Sequence, residues 1–139
     1  MKDLENAKKM LAEGYTLVLS RKDTTYTSKR RGVGTLLEYA EKKADLSGFC
    51  AADRVVGKGA AFLYIILGVS AVYAEVISES AYELLLKNGI FVDYGTLVKR
   101  IINRTGDGFC PIEEAVFSEN EPSRALALIK EKYNDLQKL

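Results

Sequence analysis

The 139-residue chain contains no histidine and no tryptophan, and only two cysteines and two prolines. The missing histidine removes the usual general base of hydrolytic triads and the commonest zinc ligand. Cys50 and Cys110 stand sixty positions apart, so neither a disulfide array nor a paired metal-ligand spacing is written into the chain. No metal is expected. Neither sign of charge is in excess: 20 basic residues oppose 19 acidic ones for a net charge of +1. That balance argues against a dedicated nucleic-acid binder, which carries a large basic surplus. A long apolar run is also missing. Gly59 to Ala74 is uncharged for sixteen residues, short of the ~20 that span a bilayer, and Gly68 and Ser70 interrupt it. Met1 to Glu13 is charged and amphipathic, without the apolar centre of a signal peptide. The expectation is a cytoplasmic protein that neither crosses a membrane nor binds nucleic acid.

What is present is an ordinary globular balance, 47% apolar and 28% charged, on a length that suits one domain over residues 1–139. Lys2 to Glu13 places Leu4, Ala7 and Leu11 on one helical face, and Gly14 stops it. Tyr15 to Ser20 and Thr24 to Ser28 read as a β-hairpin. A helix opens at Gly32-Val33-Gly34 and runs to about Lys43. Ser47 to Val56 reads as a strand, Gly59 to Leu67 as a helix apolar all round, and Val69 to Ile77 as a strand covered on both faces. Ser78 or Ser80 caps the next helix. Ile90-Phe91-Val92 reads as a brief last strand. Beyond it a helical extension over 94–139 is expected: a helix from Asp93 to Arg104, a turn-rich loop at Thr105-Gly106-Asp107-Gly108, a short helix after Cys110-Pro111, and a last one from Glu121 to Leu139. In that last helix Leu126, Ile129, Tyr133 and Leu136 form a stripe that docks on the body or meets another subunit. The alternation predicts a three-layer α/β/α sandwich around a mixed sheet of about five strands.

Two turns carry the chemistry. Arg31-Gly32-Val33-Gly34 and Gly57-Lys58-Gly59 each stand at a helix start, where unpaired N–H groups and the helix dipole favour an anion. If both reach one edge of the sheet, Arg31 and Lys58 form the lip of a phosphate site; otherwise the glycines only let helices pack closely. The turn at Lys58 completes neither the dinucleotide fingerprint nor a P-loop. Asp53 ends its strand four residues before Gly57, where it could bind a ribose hydroxyl, act as base or nucleophile, or simply pair with Arg54 or Lys58. Cys110 precedes Pro111, a proline suited to the first helical position. A thiol at that N-cap is activated by the dipole, or it merely caps, with Glu113 closing the turn onto the backbone. Ser78, at another helix start, is a further candidate contact.

The element order helix–strand–strand–helix–strand–helix–strand–helix–strand over Met1 to Asp93 resembles the cytidine-deaminase-like fold. Gly57-Lys58-Gly59-Ala60-Ala61, Val72-Tyr73-Ala74 and Asn103-Arg104 through Cys110-Pro111-Ile112-Glu113 look like a small bacterial family, a domain of unknown function with this fold. The resemblance implies a pocket between two helix N-termini. Where deaminases in this fold hold a histidine or cysteine with a glutamate, and then a cysteine pair, this chain has Gly32-Val33-Gly34 and Gly57-Lys58-Gly59-Ala60. A zinc deaminase needs three protein ligands and a glutamate there, so this chain is not one.

Three functions follow as expectations. The first is a metal-free, deaminase-fold protein that binds a nucleotide-like ligand. In it Arg31, Gly32, Gly34, Gly57, Lys58 and Gly59 take the phosphate, Asp53 takes the ribose, and Ser78 adds a contact. The only bound group anticipated is the nucleotide itself. The second is an enzyme acting on a nucleotide through Asp53, Glu113 or Cys110. The third is a structural or partner-binding module without a ligand; a homo-oligomer is compatible with any of them. Lys58 is expected to be exposed, so that Lys58→Ala leaves the fold intact.

Overall fold

The computed structural model describes residues 2–139 and carries a five-stranded mixed sheet with six helices. β1 (Leu17–Arg21) and β2 (Thr24–Ser28) form an antiparallel hairpin in register from Leu17↔Ser28 to Arg21↔Thr24. Lys22 turns the corner with φ 51°. β3 (Cys50–Val56) pairs antiparallel to β1, whereas β4 (Ala71–Ser78) and β5 (Phe91–Val98) add in parallel, giving the order β2-β1-β3-β4-β5.

Strand alternation sorts the core into two faces. Val18 and Ala52 turn toward α1 (Lys2–Leu11), against Ala7 and Leu11. Their neighbours Leu17, Leu19 and Ala51 turn the other way. There they meet α2 (Gly34–Glu41), α3 (Lys58–Leu67), α4 (Glu79–Lys87), α5 (Pro111–Val116) and α6 (Pro122–Gln137). α3 is the central helix of that layer. Its apolar surface on every side fits its place, with Phe62, Leu63 and Tyr64 fully buried. Gly68 ends it in the left-handed conformation at φ 82°, donating to the carbonyls of Tyr64 and Ile65. The α6 stripe docks on the same core through Ile129, with Leu126, Tyr133 and Leu136 packed beside it. Among the described residues no helix is long and apolar enough to cross a membrane.

The expected helix from Asp93 to Arg104 is absent. β5 runs eight residues to Val98, pairing with β4 from Phe91 to Val98. Leu97, Val98, Ile101 and Ile102 do have helical spacing. The free edge of β4 outweighs it, because a buried strand left unpaired would strand a row of backbone donors and acceptors. The extension is therefore helical only from Pro111 on. Residues 99–110 form a loop tied by an Ile102–Phe109 bridge and by the Asn103 and Thr105 side chains bonded to Asp107.

Arg54 fastens α1 to the sheet. Its guanidinium donates to the carbonyls of Leu11 and Tyr15 and takes both Glu75 oxygens at 2.9 and 3.0 Å. Both partners of the ion pair are over a third exposed, so the pair adds little by itself and the carbonyl contacts matter more. Arg54→Met is expected to cost about 1–2 kcal/mol and to speed hydrogen exchange across α1, measured by mass spectrometry, while leaving α3 protected.

Candidate functional site

The carboxyl ends of β3 and β4 feed directly into the N-termini of α3 and α4. Gly57 caps α3 in an extended conformation, and Ser78 caps α4 by accepting a hydrogen bond from the Ala81 N–H. Ser78, not Ser80, holds the cap position. Both helix starts point at one group, the carboxylate of Glu113 from α5, which is 2% exposed. Its Oε2 accepts from the Lys58 N–H at 2.7 Å, from the Ser78 hydroxyl at 2.5 Å and from the Ser80 hydroxyl at 3.4 Å. Its Oε1 accepts from the Ile101 N–H at 2.9 Å. Four donors and two helix dipoles thus converge on one carboxylate, an arrangement suited to an oxyanion.

The sequence expectation of an anion site at Gly57-Lys58-Gly59 has its geometric counterpart here, but the chain supplies the anion. Glu113 does not close back onto its own turn, and Cys110, although at the N-cap of α5, makes no capping bond. The glycines make room for protein. A Cβ on Gly59 would stand 2.6 Å from Ile112 Cγ2, and one on Gly57 3.2 Å from Glu113 Oε2. Lys58 is buried rather than exposed, at 8%. Its Nζ donates to the Phe117 carbonyl at 2.6 Å, and burial lowers its pKa. The expected exposure of Lys58 is thereby overturned, and with it the ground for expecting Lys58→Ala to leave the fold intact, since that substitution orphans a carbonyl and removes a buried stem.

The other turn lies elsewhere. Gly34 sits under Tyr133 of α6, whose hydroxyl a Cβ there would meet at 2.5 Å. Gly32 stands beside the Arg104 guanidinium. Arg30 bonds Glu38 and the Tyr133 hydroxyl, while Arg31 is exposed. No hydrogen bond joins this turn to the α3 start among the described residues. Gly57, Lys58, Gly59, Ser78 and Glu113 are brought together; Gly34 packs under α6, Gly32 lies beside the 99–110 loop and Arg31 is exposed. The residues that sequence reasoning missed are Ser80 and Ile101. Ile101 supplies a backbone N–H, which leaves no trace in side-chain identity.

Asp53 pairs with neither Arg54 nor Lys58. Its Oδ2 accepts the Tyr64 hydroxyl at 2.6 Å. Burial raises its pKa to about 6, against the lowering effect of bonds from Tyr64 and from the Val55 and Arg54 N–H groups. Tyr64 is raised well above its usual value, first by burial and then by Asp53. The carboxyl is densely surrounded, although part of the residue still touches solvent, so its effect on stability is below that of full burial. Among the described residues no cluster of three or more cysteine, aspartate or glutamate side chains could hold a metal ion.

Two outcomes are expected. Glu113→Gln should destabilise by about 1–3 kcal/mol in urea unfolding, because its amide nitrogen then faces a donor such as the Ile101 N–H, and Glu113→Ala by more, because every donor loses its acceptor. The second concerns pH. A carboxyl with its folded pKa raised from 3.8 to about 6 contributes stability that is present below pH 3.8 and is lost as the pH rises through 6. Parent stability should therefore fall by about 1–2 kcal/mol between pH 4.5 and 7.5, with no histidine to titrate in that window. Asp53→Asn should flatten the curve; an unchanged slope would refute the assignment.

Comparison with known proteins agrees with this architecture. A crystal structure of a DUF1893 family protein, TM1506, from Thermotoga maritima superposes with a TM-score of 0.85, covering 95% of this chain and 91% of that one at 23% identity. At that identity the likeness speaks for the fold alone. No curated protein matches the sequence. The model of the family described as TM1506, Domain of unknown function (DUF1893), matches residues 6–133, and with that span this chain belongs to the DUF1893 family.

Proposed function

We propose that the chain is a non-enzymatic binding module on a cytidine-deaminase-like scaffold, with its own Glu113 seated in the anion site that a nucleotide-like ligand would use. The scaffold reading is supported by the order β2-β1-β3-β4-β5, with β1 antiparallel to β3 and β3, β4 and β5 parallel. One observation carries the functional reading: the two helix starts and two serines around Glu113. An oxyanion site already filled by a buried side chain is closed to a second anion. The enzyme reading finds little support. Asp53 is held by Tyr64, all the Glu113 contacts are with donors, and Cys110 bonds no base.

A second reading rests on the same geometry. The site demonstrably accommodates an oxyanion, so a phosphate-bearing ligand could exchange with Glu113 if α5 withdraws. Thermal unfolding with inorganic phosphate and a panel of mononucleotides separates the two. On the first reading the parent shows no concentration-dependent rise in melting temperature, while Glu113→Ala, with its donors vacated, regains one. A concentration-dependent rise in the parent, which requires Glu113 to leave its donors, would establish exchange instead. The absence of any response in both proteins would leave a module without a ligand site.

A further inference from the structure

We infer that Arg100 and the apolar depression beside it form a binding site for a small organic carboxylate with an aliphatic or aromatic body. This goes beyond the reading above and shares with it only Ile101, whose N–H Glu113 takes. The strand alternation slips near the carboxyl ends of β3 and β4. Asp53 and Val56 both face the α3 layer although three residues apart, as do Ala74 and Ile77. Val55 is left 47% exposed in consequence. Val55, Val76 and Val98, from three adjacent parallel strands, line a depression of about 220 Å³ with Arg100, Ile101 and Ile102. It lies at the carboxyl edge of the parallel strands, the place where α/β sheets take ligands.

Arg100 is the one cation lining the depression. Its guanidinium is clamped between the Phe109 and Phe117 rings, 4.1 and 4.0 Å from their centroids. Two such contacts hold it in place without using its N–H groups. Those groups are uncommitted. Arg100 pairs with no carboxylate among the described residues; its Nε is buried and is the one buried side-chain nitrogen or oxygen there without a hydrogen-bond partner, which leaves the terminal N–H groups to meet an incoming carboxylate. Such a group calls for an explanation, and a planar carboxylate matches the fork.

Shape and charge narrow the ligand. The walls are valine and isoleucine side chains, which match a short branched aliphatic body, and 4-methylpentanoate is the probe. A single cation with apolar walls suits a monoanion and gives a phosphate dianion no second partner.

The test is a ¹H–¹⁵N NMR titration of the whole chain with 4-methylpentanoate, 4-methylpentanamide and acetate. Saturable shifts at Val55, Val76, Val98, Ile102 and the Arg100 side chain are expected with 4-methylpentanoate. The amide and acetate should each bind at least about tenfold more weakly, as loss of a charged hydrogen bond or of the apolar body requires. Arg100→Met should lose the same factor. Ile102→Glu places a carboxylate at an exposed rim position and should abolish binding with the remaining spectrum preserved, which keeps the test valid if Arg100→Met fails to fold. Equal affinity for acid and amide, or no saturable shift at these residues, would overturn the site. The titration is run on the parent chain with Glu113 in its place, so a failure here is distinct from a failure of the Glu113 reading.

Discussion

The contact on which the structure depends is the carboxylate of Glu113 set against the starts of α3 and α4. β3 and β4 run parallel, so their following helices begin at the same edge with their dipoles pointing the same way. Two such positive ends side by side, with unpaired N–H groups, are unfavourable unless an anion lies between them. Glu113 supplies it, and its second oxygen takes the Ile101 N–H from the loop after β5. One side chain thereby joins three consecutive strand exits.

That arrangement explains why the C-terminal segment packs where it does. Ile112 lies against Gly59, one residue before Glu113 reaches the helix starts, and a methyl group on Gly59 would push it away. Lys58 turns from the turn to the Phe117 carbonyl at the end of α5, so α5 is fixed at its start by Glu113 and at its end by Lys58. α6 completes the layer with Ile129 in the core and Tyr133 over Gly34. A turn composed for close approach to an anion serves equally for close approach to a helix, because both need the absence of a side chain.

The same logic sets the surface beside the latch. Residues 99–101 must bring an N–H to Glu113, which turns the chain at Arg100 away from the strand direction. Arg100 is left between Phe109 and Phe117 with no acceptor, next to valines that the slipped alternation of β3 and β4 has turned outward. An internal electrostatic requirement and a half-buried, unpaired cation are thus neighbours in the chain. They are separate in their chemistry, since one carboxylate cannot serve both.

Local pattern decided much of this protein. The helices at Lys2–Leu11, Gly34–Glu41 and Lys58–Leu67, the hairpin at Leu17–Ser28 and the buried strand at Ala71–Ser78 are all legible, because apolar spacing and glycine stops act within a few residues. So is the helix start at Gly57-Lys58-Gly59, whose unpaired N–H groups follow from backbone chemistry alone. Tertiary structure decided the rest. Phe91 to Val98 became a strand because β4 offered it a ladder, a partner twenty residues away that spacing within the segment does not reveal. Asp53 went to Tyr64 rather than to the adjacent Arg54 or Lys58, since alternate strand residues face opposite sides. And the anion proved to be Glu113, fifty-five positions beyond Lys58: a sequence can specify that a site is electropositive, but only the folded chain determines whether a ligand or one of its own carboxylates fills it.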